Sequence, residues 1–194
     1  MSEFRLYFEL GLEHILDTLG YDHILFIIAL SALYLVRDWK KVLILVTAFT
    51  IGHSITLALA TMGIIKINTN LVEFLIPVTI FLTAISNLFA KTDRIKAGKI
   101  QTNYVFAIFF GLIHGLGFSN YLRSLLGDDK SILTQLLAFN IGIEIGQIIL
   151  VVSYMVISFI LVDIFQLKRR DWKMIVSSAV AGISITMIIE SIYW

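Results

Sequence analysis

The sequence predicts an all-α integral membrane protein: a six-helix transmembrane bundle with an amphipathic N-terminal segment and both termini outside. Two observations carry that prediction. Of the 194 residues, 58% are hydrophobic and only 15% charged, where an ordinary soluble domain has about 25% charged residues. The charges are also gathered between apolar runs that approach the roughly 20 residues a helix needs to cross a hydrocarbon core. Composition excludes several chemistries as well. There is no cysteine, which removes disulfides, thiolate metal sites, Fe–S clusters and cysteine nucleophiles. Any metal must therefore be held by nitrogen and oxygen. The net charge of +1 from 15 basic and 14 acidic residues offers no basic face for nucleic acid. No Walker motif is present, so direct ATP-driven pumping is excluded.

Residues 1–20 carry acids at Glu3, Glu9, Glu13 and Asp17 and no small-residue cleavage site, so they do not read as a signal peptide. Phe4, Phe8, Leu12, Ile15, Leu16 and Leu19 fall at helical spacing. They predict an amphipathic helix that lies in the interface or simply leads into the membrane. Six apolar spans follow, over about 21–36, 42–65, 71–90, 104–126, 132–165 and 174–194. The first is short and extends back into the preceding amphipathic turn. The fifth is long enough to tilt or to continue past the bilayer.

The connections set the orientation. Arg37, Lys40 and Lys41 follow span one; Lys91, Arg94, Lys96 and Lys99 follow span three; Lys168, Arg169, Arg170 and Lys173 follow span five. Only Arg5, Lys66, Arg123 and Lys130 remain for the other side. Eleven against four is a positive-inside bias that puts both termini outside and sends spans one, three and five toward the cytoplasm. No Pro, Ser or Gly-rich linker divides the chain, and its one proline, Pro77, falls inside span three, where a kink is tolerable. Residues 1–194 thus read as a single transmembrane domain. Phe49-Thr50-Ile51-Gly52 in span two is echoed by Phe139-Asn140-Ile141-Gly142 in span five. Because the two spans run in opposite directions, the echo has the form of a three-plus-three inverted repeat.

Polar side chains inside the spans then acquire depths at 1.5 Å per residue. His53, His114 and Glu144 come near the bilayer middle, with His14, Asp22 and His23 above them at the outer face. Asn140, Glu144 and Gln147 stand at i, i+4 and i+7 and share one face of span five. An ionised acid at the centre of a helix costs about 2.5 to 3.5 kcal/mol to insert, so that face is expected to avoid lipid. Span two offers a matching stripe of Thr50, His53 and Ser54. Glycine pairs at Gly111 and Gly115 and at Gly142 and Gly146 predict that spans four and five pack closely, bringing His114 near Glu144. Each feature alone has a plainer reading: a lone membrane histidine bonds a carbonyl, a glycine pair is packing, and Asp22 is an interfacial cap. Together, all four histidines and one deep acid converge on the outer half of the bundle.

Imidazole with carboxylate suits Ni²⁺, Co²⁺, Cu²⁺ or Zn²⁺, whereas an all-oxygen cage would suit Mg²⁺ or Ca²⁺. On this reading Asp22 and His23 strip water from the arriving ion, and His53, His114 and Glu144 hold it midway. Conduction requires that none of these positions bind too tightly.

Five blocks carry a family resemblance. They are His14 with Gly20-Tyr21-Asp22-His23; Thr47-Ala48-Phe49-Thr50-Ile51-Gly52-His53-Ser54; Val72-Glu73; Phe110-Gly111-Leu112-Ile113-His114-Gly115-Leu116-Gly117-Phe118; and Phe139-Asn140-Ile141-Gly142-Ile143-Glu144-Ile145-Gly146-Gln147. In order through nearly the whole chain, they make it resemble the HupE/UreJ proteins, small bacterial membrane proteins associated with hydrogenase and urease maturation and regarded as nickel or cobalt permeases. The resemblance implies a multi-pass protein of the bacterial cytoplasmic membrane in which His14, Asp22, His23, His114 and Glu144 handle metal.

The expected function is transport of a divalent transition-metal ion, Ni²⁺ or Co²⁺, across that membrane, with the metal as substrate and the lipid bilayer and a hydrogenase or urease maturation system as partners. Two other classes stay open. One is an intramembrane zinc-dependent hydrolase with Glu144 as general base; no His-Glu-x-x-His pair occurs, and neither Ser54 nor Ser119 sits in Gly-x-Ser-Gly. The other is a metal-sensing or structural membrane subunit. Oligomeric state is not legible in the sequence.

Overall fold

The structure, a computed structural model, describes residues 2–18, 20–66, 68–90, 97–126 and 132–194, with backbone alone for 97–102 and 126. Lys91, Arg94, Lys96, Lys130 and the side chain of Lys99 lie outside the described residues. Every regular element among those described is helical: α1 (Glu3–Leu16), α2 (Asp22–Ser31), a 3₁₀ turn (Val36–Asp38), α3 (Trp39–Thr61), α4 (Thr69–Phe89), α5 (Ala97–Gly117), α6 (Ser119–Leu126), α7 (Ile132–Ser158, continuing as a π turn over Phe159–Ile164) and α8 (Arg169–Glu190). Four of these are long and apolar enough to cross a membrane, namely α3, α4, α7 and α8; α5 and α6 make a fifth if counted as one span bent by 48°. The protein is thus a multi-pass membrane protein.

Local chemistry explains most boundaries. The Asn68 side chain caps α4 by accepting from the backbone N–H groups of Asn70 and Leu71 at 3.1 and 3.4 Å. Gly63, at φ +74°, ends α3 in the left-handed conformation that a Cβ disfavours. Pro77 lies inside α4 and withholds the N–H that would bond the Glu73 carbonyl.

The first predicted span needs correction. Its helix covers only Asp22–Ser31, 10 residues, or about 15 Å, too short to cross alone. No glycine or proline marks the stop. Instead, side chains from other helices take carbonyls at and just past its end: Asn87 Nδ2 donates to Ala29 O at 2.7 Å, and Arg169 Nη2 to Leu33 O, beyond the helix, at 2.8 Å. These tertiary partners satisfy what the next turn of helix would have satisfied.

The N-terminal segment is also placed differently. It does not lie apart from the bundle: α1 buries Tyr7, Gly11 and Ile15 and runs parallel to the first half of α7. A β-carbon on Gly11 would strike the Phe139 carbonyl, and one on Gly142 would strike the Phe8 carbonyl. An equivalent seam joins α3 to α5, where Gly52 meets Ile108 O and Gly111 meets Phe49 O. The two glycine pairs therefore do not join spans four and five to each other. Gly111 and Gly115 face α3, while Gly142 and Gly146 face α1, because close approach needs a partner backbone in parallel register at that level.

These two seams are one seam used twice. Residues 8, 11 and 12 stand to residues 139 and 142 as residues 108, 111 and 112 stand to residues 49 and 52. The correspondence extends to α4 and α8, which bury Ile76, Pro77, Ile80 and Ala84 in one and Val176, Ser177, Val180 and Ser184 in the other. The first half of the chain (α1 to α4) and the second (α5 to α8) thus repeat one packing pattern in inverted sense, each setting its first helix against the other's third. A sequence signal for this exists: Gly11-Leu12-Glu13-His14 and Gly111-Leu112-Ile113-His114.

Contacts also sort the ends. Arg169 meets Leu33, and Lys173 Nζ donates to Ala90 O at 2.7 Å, so the segments after spans one, three and five share one end. At the opposite end Phe74 packs on Trp194, with ring centroids 5.0 Å apart, and Asn120 bonds Thr69. The middle of α1 lies against Phe139 and Gly142 of α7, and the segment after α2 meets Arg169. Both α1, ending at Leu16, and α2, beginning at Asp22, pack on α7.

Candidate metal centre

The facing ends of α1 and α2 supply the first candidate ligands. His14 is in the last turn of α1, and Asp22 and His23 open α2. Opposite them stand His53 from the middle of α3 and His114 from the last turn of α5, just before its bend into α6. Ligand atoms of His14, His23 and His53 all lie within 4.8 Å of one another, and so do those of Asp22, His23 and His114. His23 belongs to both groups. Its ring centroid is 4.6 Å from His14, 5.8 Å from His53 and 5.3 Å from His114.

The surroundings are apolar and aromatic. Phe118 lies 4.1 Å from His14 between ring centroids, Phe26 lies 5.0 Å from His114 and Phe49 lies 5.2 Å from His114. His23, His53 and His114 retain 4%, 0% and 1% of their exposure. Buried polar atoms are almost always hydrogen-bonded, yet His14 Nε2, His23 Nε2, both nitrogens of His53 and His114 Nδ1 have no partner among the described residues. Orphaned nitrogens from four rings, brought within reach of one another, could serve as donors to a metal ion. Asp22 could add a charge to offset a divalent ion, and it also orients His23. Its Oδ1 accepts from the His23 backbone N–H at 2.9 Å and lies 3.0 Å from His23 Nδ1. A carboxylate only accepts, so the ring carries its proton on Nδ1 and turns the Nε2 lone pair outward.

The remaining expected residues lie elsewhere. Glu144, half-buried on α7, accepts from Thr47 Oγ1 at 2.6 Å and belongs to neither ligand group. Gln147 Oε1 accepts from Thr50 Oγ1 at 2.8 Å. Asn140 Oδ1 is buried without a partner, and Ser54 is half-buried on α3. Glu144 and Gln147 thus meet α3 through Thr47 and Thr50. Nor do the histidines divide into a mouth and a middle. His14, Asp22 and His23 stand level with His53 and His114, because α1 descends with α7. The residue that sequence reasoning missed is Thr79 on α4, whose Oγ1 lies 3.2 Å from His114 Nε2.

Residues 1–193 match the family model described as HupE / UreJ protein. The chain belongs to the HupE/UreJ family. No curated protein and no solved structure matches it. In this HupE/UreJ protein the blocks containing His14, Asp22-His23, His53 and His114 meet where α1 and α5 end. The block containing Glu144 and Gln147 lines the crossing of α3 and α7.

Proposed function

We propose that this HupE/UreJ protein carries a divalent transition-metal ion, Ni²⁺ or Co²⁺, across the bacterial cytoplasmic membrane as a single transmembrane unit. The observation that carries the reading is the set of orphaned imidazole nitrogens, with Asp22, at the facing ends of α1 and α2. Transporters built from inverted repeats hold their substrate at interrupted helices, where helix ends and polar groups face a cavity and not lipid. The gathering of basic connections at one end supports a cytoplasmic assignment for that end, with both termini outside. Nitrogen and oxygen donors fit Ni²⁺, Co²⁺ and other borderline ions. The ion delivered would serve hydrogenase or urease maturation, the systems from which the family takes its name.

The two ligand groups give the ion two positions joined by His23. An ion held by His14, His23 and His53 passes to Asp22, His23 and His114 by exchanging two ligands while keeping one, so it is never stripped of all donors at once. A hydrolase would need a general base beside the metal, and Glu144 is engaged with Thr47 outside both groups. Purified protein in liposomes decides the matter. Uptake of Ni²⁺ or Co²⁺ with a matching ion in the isolated protein supports transport, whereas bound Zn²⁺ without flux of any metal overturns it.

A further inference from the structure

We infer that Thr79 is a positioning residue for His114, fixing the ring in the tautomer that offers Nδ1 to the ion. Both side chains are buried. Thr79 Oγ1 lies 2.7 Å from the Ile76 carbonyl and 3.2 Å from His114 Nε2. A threonine hydroxyl has one proton and two lone pairs. A carbonyl only accepts, so the shorter contact takes the proton and leaves the oxygen a lone pair for the ring. His114 Nε2 must then be the donor. A neutral imidazole carries one proton, so Nδ1 keeps its lone pair, and Nδ1 is the nitrogen that has no protein partner. The opposite assignment would put an N–H at Nδ1 with nothing to accept it and would break the bond to Ile76. Threonine in a helix chooses between two χ1 rotamers, and the bond to the Ile76 carbonyl selects the one that holds the accepting oxygen against His114.

The result is a division of labour between two rings. By accepting from the ring, Asp22 keeps the His23 proton on Nδ1 and exposes Nε2; by accepting in the same way, Thr79 keeps the His114 proton on Nε2 and exposes Nδ1. Outer partners of this kind set ligand orientation, and losing one costs about 10- to 100-fold in metal affinity.

The inference rests on the metal reading above, and the test separates the two. Protein labelled with ¹⁵N-histidine is examined metal-free by NMR, with His114→Gln assigning the resonances. The parent and Thr79→Ser should show His114 protonated at Nε2 alone, while Thr79→Val, which keeps shape but not the acceptor, should lose that single tautomer. Ni²⁺ titration should then find Thr79→Val about tenfold or more weaker and Thr79→Ser close to the parent. A parent ring protonated at Nδ1, a Thr79→Val spectrum like the parent's, or unchanged Ni²⁺ affinity in Thr79→Val overturns the inference. The stated tautomer in a parent that binds no Ni²⁺ overturns the metal reading and leaves the Thr79–His114 pairing established.

Discussion

Gly115 lies directly against the carbonyl of His53, so that a β-carbon there would collide with that oxygen and stand 2.5 Å from Thr56 Oγ1. The α3–α5 seam that brings His53 and His114 to one level depends on this missing side chain. Gly115→Ala should therefore push the helices apart, destabilising the protein by about 1–3 kcal/mol and weakening metal binding. Thermal unfolding in detergent reads the first effect. Gly182→Ala is the control: nothing lies within 4 Å of a β-carbon there, and alanine favours helix over glycine by up to about 1 kcal/mol. An equal loss in both variants would mean that the seam is not what matters.

His23 is shared by both ligand groups, whereas His14 and His114 each serve one. His23→Ala should lower Ni²⁺ affinity more than His14→Ala or His114→Ala. Calorimetric titration of the three variants ranks them, and equal losses would dispose of the two-position arrangement.

Asp22 and Glu144 should separate in the same assay. Asp22→Asn removes the charge from its ligand group while leaving an amide oxygen that can still accept from His23, so affinity should fall about tenfold or more. Glu144→Gln touches only the bond from Thr47 and should bind Ni²⁺ much as the parent does. Equal weakening in the two would return Glu144 to the ligand set.

Orientation is tested by labelling. Lys66 and Arg170 are both exposed, at opposite ends of the bundle. A cysteine at Lys66 should react with an impermeant reagent added to intact cells, and one at Arg170 only after lysis; the reverse pattern would invert the assignment of sides.

The sequence by itself determined the apolar composition, the long spans, the gathering of basic residues between alternate spans and the ligand types His14, Asp22, His23, His53 and His114. All of these are properties of residue type and one-dimensional spacing, and spacing along a helix does report depth at 1.5 Å per residue. It does not report rotation about the axis or which neighbour a face meets. Only the tertiary structure decided that α2 stops at Ser31, because the groups that end it, Asn87 and Arg169, lie far along the chain. It likewise decided that the Glu144 face turns toward Thr47, that Thr79 stands behind His114, and that α1 joins the bundle and lowers His14 to the level of His53. The level of His14 follows from the backbone seam at Gly11 and Gly142, and the pairing of α3 with α5 from that at Gly52 and Gly111. Such a seam fixes helix azimuth and register only once both partners are present, since a glycine's close approach is a property of the pair.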